Sequence, residues 1–226
     1  MARLDWLALF QQPIDVLALG AFIVVFPLYH GVYPWLVRLA PGRAARTRFD
    51  RLRKSWIEGI VERQDLILAA QQTRNLTMVN TVLASSTLIL MGFTANALLG
   101  MPGAASALTE GGASVALAEK MVLLIAVFGV AFAYCMTALR HLGHFVLVVG
   151  AKAELLSEDG VSAADYLSGL LNRASSRYTL AVRCLYSASS IFLWLFDARF
   201  SLLLTLFWGF KFVVLQDFRR SRPRQS

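Results

Sequence analysis

The chain has few charged residues for its length, and acids are the scarcer sign. Lys, Arg, Asp and Glu make up 16% of the 226 residues and apolar residues 57%, whereas soluble domains average about 25% charged and about 45–50% apolar. The two cysteines, Cys135 and Cys184, lie inside apolar runs without metal-type spacing, so no disulfide framework is indicated. This composition argues against a soluble domain and indicates a membrane protein.

Motifs that mark enzymes are also missing. The sequence contains no HExxH, no GxSxG, no phosphate-binding glycine loop and no paired aspartates inside an apolar run. A membrane enzyme without a carboxylate in its spans would lack the usual general acid or base. Asp15 comes nearest to an exception, but it stands alone. We therefore expect no enzyme activity and no cofactor.

Apolar runs of the length that a membrane helix needs, about 20 residues, recur along the chain. They predict an all-α fold: a polytopic transmembrane helix bundle of about five spans, the last two forming a tight hairpin, in a single membrane domain over residues 1–226. Pro27 frees the carbonyl of Ile23, so we expect a kink there. The predicted spans are residues 16–37, 76–99, 121–139, 178–196 and 200–215.

Two predicted cytoplasmic segments, 38–75 and 140–177, connect these spans. The first is rich in arginine and has apolar residues at helical spacing, which predicts an amphipathic basic helix at the headgroup surface or docked onto the bundle. In the second, Ser162 and Asp165 form a capping pattern that predicts a short cytoplasmic helix before the fourth span. The apolar face of the first helix is Phe49, Leu52, Trp56 and Ile60.

Lysine and arginine are distributed unevenly between the two sides of this bundle. The side with the N-terminus, the loop near residues 100–120 and the hairpin turn carries Arg3, Lys120 and Arg199, and the other side carries the remaining 19 of 22. The basic side is expected to be cytoplasmic. This predicts a bacterial inner-membrane protein with its N-terminus outside and its C-terminus in the cytoplasm, and a basic surface for anionic lipid of the cytoplasmic leaflet, with no nucleic acid as partner.

Arginines at the ends of the spans are the candidate functional residues, because charge is costly inside a bilayer. Arg74, Arg140 and Arg183 all fall near the predicted cytoplasmic ends, and no acidic residue is close to them in sequence. In one interpretation each arginine reaches lipid phosphate separately. In a second, the three converge on one anion or lipid headgroup, and in a third they bind helix C-terminal carbonyls.

Polar residues also recur along the second span, and two histidines follow the third. We expect the polar stripe to face other helices, either as hydrogen-bonding contacts or as the lining of a polar pathway. His141 and His144 are candidate proton-sensing residues, with hydrogen-bonded packing as the alternative, and no nearby Cys, Asp or Glu completes a metal site. The polar stripe comprises Gln71, Asn75, Asn80, Thr81 and Ser85.

Three segments surround the candidate arginines: residues 71–85, residues 138–144, and residues 183–196. Their order and their positions at helix ends resemble the motifs of domain-of-unknown-function family 599, uncharacterised multi-pass membrane proteins of bacteria and plants. The chain departs from the family at residues 197–199, where Gly-Pro is expected in the hairpin turn. The resemblance implies the membrane architecture and carries no established activity.

Two classes of function remain open on these observations. The protein is either a small homo-oligomeric channel or carrier with an anion-attracting arginine layer at its cytoplasmic side, or a non-transporting membrane component that binds anionic lipid or a partner protein through its basic face. A five-helix bundle is small for a carrier, which favours a homo-oligomer. The outer halves of the third and fifth spans are nearly all apolar, which counts against a wide aqueous pore.

Overall fold

Helices account for nearly all of the residues that the structure, a computed structural model, describes: 13–32, 35, 45–101, 113–157 and 160–217. Within these ranges there is no strand, which confirms the predicted all-α class. The predicted end of the first span, most of the loop near residues 100–120, and the arginines beyond residue 217 lie outside the described residues. The helices are α1 Pro13–Ile23, α2 Ala45–Arg63, α3 Leu66–Leu99, α4 Ala113–Val148, α5 Ala153–Leu156, α6 Ala163–Trp194 and α7 Ala198–Phe210.

Three of the described helices are long and apolar enough to cross a membrane. They cover Pro13–Val32, Leu66–Leu99 and Ala116–Val148, where the sequence predicts the first three spans. α3 has 34 residues, a length of about 51 Å at 1.5 Å per residue, whereas the hydrocarbon core is about 30 Å thick. α3 and the similarly long α4 therefore extend past such a core.

The first helix accommodates its proline by widening. A π-helical segment, Val24–Leu28, follows α1 and contains Pro27, after which the helix continues to Val32. Proline lacks an N–H and crowds the carbonyl four residues earlier, and a π-turn relieves this crowding at the place where the sequence predicts a kink. α7 likewise continues as a π-helix over Lys211–Asp217.

α6 corrects the prediction of a separate short helix in the second cytoplasmic segment. The Ser162 hydroxyl accepts a hydrogen bond from the Asp165 amide at 3.1 Å, as the capping pattern indicates, but the helix then runs without a break to Trp194. No proline interrupts residues 163–194 and Gly169 is the only glycine, so nothing ends the helix. The predicted short helix is therefore the first part of a 32-residue helix.

The core lies where α4 and α6 pack against each other and against α1 and α7. Its main cluster consists of large apolar side chains from all four helices and their π-helical continuations: Phe22, Phe26, Leu124, Phe128, Ile191 and Phe212. α3 packs mainly on α4. This arrangement leaves the outer surface of α3 exposed and places α1 and α7 side by side.

α2 docks onto the bundle through a face that only partly matches the predicted one. Ile57 and Ile60 are completely buried, and Ile57 joins a cluster with Leu142 and Phe145 of α4 and three leucines of α6. Phe49 and Leu52 were predicted on this face but remain exposed. The contact with α6 reaches Arg53, one turn C-terminal to Phe49. Leu52 points away from the helix face that carries Ile57 and Ile60.

Candidate functional site

One side of α6 carries three arginines. Arg173, Arg177 and Arg183 fall within an arc of about 120° around the helix axis at 100° per residue. Arg173 and Arg177 are exposed, whereas Arg183 is buried, with 6% of its surface accessible. Since α6 is unbroken, this side of the helix forms a continuous basic strip that descends from the α2 end of the bundle toward its middle.

This basic strip forms one wall of a large open cleft. The cleft has a volume of about 1660 Å³ and lies between α1 with its π-turn, α2, α4 and α6. Ligand sites for small molecules usually measure about 300–1000 Å³, so this cleft accepts something larger. Its basic lining is Arg53, Arg173, Arg177 and Arg183, together with His30 and His141.

A fourth arginine is held at the mouth of the cleft by α2. Arg53 Nη1 donates a hydrogen bond to Asn172 Oδ1 of α6 at 3.2 Å, and Arg53 Nη2 lies 3.5 Å from the Asp50 carboxylate. Because Ile57 anchors the same helix in the core, Arg53 is positioned by packing as well as by these polar contacts. Asp50 is the single carboxylate among the described lining residues, so the lining has an excess of positive charge.

Arg183 is the deepest of these cations, and aromatic rings surround it. Its guanidinium carbon lies 5.1 Å from the centre of the Phe212 ring, a distance at which a cation is attracted to the ring face. Phe212 is fully buried and makes edge contacts with Phe26 and with His30, whose ring centres lie 6.0 and 5.5 Å away. The aromatic packing therefore fixes the arginine at the point where the cleft changes from basic to apolar.

A second cation, Lys211 at the end of α7, lies against two aromatic rings, one from α6 and one from α7. Lys211 Nζ lies 4.7 Å from the centre of the Tyr186 ring and 4.6 Å from that of Trp208, and these two rings stack at 4.1 Å. Trp208 Nε1 also donates a hydrogen bond to Ser189 Oγ at 3.2 Å. This cluster joins α6 to α7. It was not predicted, because Tyr186 and Ser189 lie about 20 residues before Trp208 and Lys211 in the sequence.

The two other candidate arginines lie apart from this cleft. Arg74 of α3 and Arg140 of α4 are exposed, and neither lines the cleft that includes Arg183. Convergence of all three on one anion stays a prediction. The structure adds Arg53, Arg173 and Arg177, which sequence reasoning missed because it treated residues 38–75 and 140–177 as surface segments.

The polar stripe of α3 lies mostly on the side that faces away from the chain's own helices. Gln71, Asn75, Thr81 and Ser85 are exposed, so the expectation that the stripe faces other helices is wrong within one chain, with one exception. Asn80 is buried, and its side-chain amide donates a hydrogen bond to the Cys135 carbonyl of α4 at 3.0 Å. The face of α3 that contacts α4 instead consists of small side chains and of threonines whose hydroxyls donate to the carbonyl four residues earlier in the same helix: Ala69, Thr73, Ala84 and Thr87.

The two histidines after the third predicted span are both part of α4, and they differ in environment. His141 is half-buried and lines the cleft, whereas His144 is exposed. Proton sensing by either residue stays a prediction. Among the described residues no group of three or more His, Cys, Asp or Glu is placed to hold a metal ion.

An ion pair that the sequence did not reveal lies at the opposite end of the bundle. The sequence marks Asp15 of α1 as a lone carboxylate, and in the structure Lys120 Nζ of α4 lies 3.5 Å from it. Lys120 also lies 4.8 Å from the centre of the Trp194 ring of α6. Asp15, Lys120 and Trp194 therefore join three helices. Lys120 and Trp194 lie 105 and 179 residues from Asp15 along the chain, so no local sequence pattern indicates the contact.

These features define an all-helical protein of membrane type, with an arginine-lined cleft between four of its helices. The chain belongs to the family described as "Protein of unknown function, DUF599", whose model matches residues 17–220. This match confirms the family that the three sequence motifs resemble. No curated protein and no solved structure matches the chain.

Proposed function

We propose that this protein is a multi-pass membrane protein that binds an anionic ligand in the arginine-lined cleft. The observation that carries the proposal is the basic strip of α6, where Arg173, Arg177 and Arg183 line one wall of the cleft and Arg53 faces them from α2. Arginine suits such a ligand because its planar guanidinium donates two parallel hydrogen bonds to phosphate or carboxylate.

The ligand enters from the cytoplasmic side in this proposal. Of the 22 Lys and Arg residues, 19 belong to the side that carries α2 and the start of α6, and basic loops are retained in the cytoplasm. The second half of α6 and α7 with its π-turn then serve as the fourth and fifth spans of a bacterial inner-membrane protein, with the N-terminus outside and the C-terminus in the cytoplasm.

We favour binding of the anion over its transport through a single copy of the protein. Below Arg183, the bundle is filled by the core cluster that includes Phe22, Leu124 and Ile191. A pore needs a continuous path that holds water, or polar groups that replace the hydration shell of the ion where the path is narrow. The cleft is therefore proposed as a binding site that opens at one end. We propose no enzyme activity for it.

The exposed polar face of α3 supports a second candidate, a homo-oligomeric channel or carrier. The side chains of Asn75, Thr81 and Ser85 form no hydrogen bond with the described part of the chain, and polar groups at membrane depth need partners. A second copy would supply the same residues at the same depth. In this alternative the polar pathway runs between copies.

Titration with two soluble probes tests the anion site. The purified protein in non-ionic micelles is titrated calorimetrically with glycerol 3-phosphate and with dihexanoyl phosphatidic acid. Losing a charge-assisted hydrogen bond costs about 1.5–3 kcal/mol, so Arg183→Leu should weaken binding at least about tenfold. Arg177→Leu should do the same, and its exposed side chain makes it the milder change for folding.

The matched control is Arg140→Leu, which removes an exposed arginine outside the cleft. Its affinity should stay within about twofold of the unmodified protein, because screened exposed charges act weakly over distance. An equal loss in Arg140→Leu would favour the site formed by Arg74, Arg140 and Arg183. Absence of binding by both probes would refute an anion site of either kind.

A further inference from the structure

We infer that the ligand of the cleft is an anionic amphiphile, whose headgroup binds the arginines and whose apolar chain lies along α1 and α4 toward the middle of the bundle. This inference rests on the proposed anion site and specifies the ligand's chemical class. It depends on how polarity changes along the length of the cleft.

The cleft is long enough to separate a head from a tail. Its α6 wall extends from Asn172 to Ser187, which corresponds to about 22 Å at 1.5 Å per residue. The basic groups occupy the first two thirds of this length and end at Arg183. A free phosphate would fill only a small part of such a site.

Two other helices change polarity in the same direction as α6. On α4 the lining begins with His141 and Tyr134 and continues with Val130 and Val127. On α1 and its π-turn it begins with His30 and continues with Pro27, Phe26 and Phe22. The α1 and α4 walls are therefore polar at the α2 end and apolar at the other, and the α6 wall carries no charge beyond Arg183, as an amphiphile requires.

The apolar end of the cleft is formed partly by side chains that remain accessible. Val130 of α4 is 49% exposed although it lies in the middle of a membrane-type helix. An alkyl chain placed against it covers this accessible apolar surface and adds dispersion contacts. The alkyl chain would also exclude water from the cleft below Arg183. This strengthens the electrostatic attraction between the headgroup and the arginines.

The orientation matches a lipid of the cytoplasmic leaflet. With the basic end of the bundle in the cytoplasm, the headgroup lies at the membrane surface and the chain points toward the bilayer centre. Arg53, held by Asn172 and Asp50, lies at the mouth of the cleft, beside the headgroup. The amphiphile therefore enters from the leaflet without leaving its membrane orientation.

Three probes separate the contributions of head and tail. Dihexanoyl phosphatidic acid has both, glycerol 3-phosphate has the same head without chains, and dihexanoyl phosphatidylcholine has the same chains with a zwitterionic head. Each buried methylene adds about 0.8 kcal/mol, so the phosphatidic acid should bind at least about tenfold more tightly than glycerol 3-phosphate. It should also bind at least about tenfold more tightly than the phosphatidylcholine, because the choline cation of the latter neutralises the phosphate that the arginines would bind.

A substitution in the apolar half tests the position of the chain. Val130→Trp fills that part of the cleft and should weaken phosphatidic acid binding at least about tenfold while leaving glycerol 3-phosphate binding within about twofold. Val122→Trp is the matched control, since Val122 is exposed on the same helix and lies outside the cleft. It should leave both affinities unchanged.

Each contrary result has a distinct meaning. Equal affinity for glycerol 3-phosphate and phosphatidic acid would overturn the amphiphile while leaving the anion site intact. Equal affinity for phosphatidylcholine and phosphatidic acid would reduce the cleft to an apolar groove for annular lipid. Loss of binding in Val122→Trp as well as in Val130→Trp would show that the chain lies elsewhere on α4.

Discussion

The carboxylate of Asp15 accepts a hydrogen bond from the indole Nε1 of Trp194, and the two atoms are 2.7 Å apart. The same carboxylate pairs with Lys120, which also donates a hydrogen bond to the Trp194 carbonyl at 3.4 Å. Asp15 and Lys120 expose only 15% and 14% of their side chains. This contact therefore ties the first turn of α1 to α4 and to the last turn of α6, at the end of the bundle opposite the cleft.

Removal of this carboxylate should destabilise the protein. Asp15→Ala leaves the Lys120 ammonium without its counter-charge and the Trp194 indole N–H without its acceptor in a mostly buried place, which costs about 1–3 kcal/mol. For a chain of this size that corresponds to a fall of several degrees in the unfolding midpoint. Thermal unfolding in detergent, followed by circular dichroism, measures the shift.

The double variant Asp15→Ala/Lys120→Met provides the control. Because it removes both charges together, its midpoint should fall by less than the sum of the two single changes. An Asp15→Ala midpoint equal to that of the unmodified protein would contradict a stabilising role for the pair.

The sequence predicts the helices much better than it predicts the site. Apolar runs long enough to cross a bilayer are local patterns, so the predicted spans 76–99 and 121–139 fall within the helices Leu66–Leu99 and Ala116–Val148. The Asp15–Lys120 pair joins residues 105 apart and leaves no such pattern. Arg173 and Arg177 were missed for another reason. The predicted break between a short helix and the fourth span hid the fact that they share one side of a single helix with Arg183.

One ion pair between α2 and α6 should make the docking of α2 sensitive to pH. Lys54 of α2 binds the Asp165 carboxylate at the start of α6. The hydrogen bond from Lys54, then that from Ser162, holds the pKa of Asp165 below its usual value, and the hydrogen bond to Asp165 raises the pKa of Lys54 despite its partial desolvation. The pair therefore stabilises docking from above about pH 4 to about pH 10, the ordinary pKa values of the two groups.

Acid should loosen α2 as the pH falls through the depressed pKa of Asp165, because a protonated carboxyl no longer pairs with Lys54. Fluorescence of Trp56, which packs beside the Ile57 cluster, in a variant whose other tryptophans are replaced by phenylalanine, measures the release of α2. Lys54→Met should start from weaker docking and lose the acid-dependent change. A change of equal size in Lys54→Met would assign the pH dependence to another group.

The five-span topology predicts which side of the membrane each cysteine probe reaches. In a chain whose Cys135 and Cys184 are replaced by alanine, Ser114→Cys should react with an impermeant maleimide in intact cells, and Ser221→Cys should react only after lysis. The unequal distribution of lysine and arginine is the physical reason. Reaction of Ser221→Cys in intact cells would exclude a cytoplasmic C-terminus.

The exposed polar face of α3 predicts contact with a second copy of the chain. Ser85 lies near the middle of this helix and is exposed, and its hydroxyl forms no hydrogen bond with the described residues. In a dimer whose axis is perpendicular to the membrane, each residue meets its equivalent at the same depth. Ser85→Cys, in the chain without its native cysteines, should therefore form a disulfide-linked dimer when membranes are oxidised.

Leu90→Cys is the matched control for this cross-link. Leu90 is also exposed on α3, at 45%, but it points about 140° away from Ser85 around the helix. Its cross-linked fraction should be several times smaller at equal expression, because a disulfide requires Cβ atoms within about 4.5 Å. Equal fractions for the two positions would indicate random collision in the membrane, and the polar face of α3 would then have to meet lipid or a different protein.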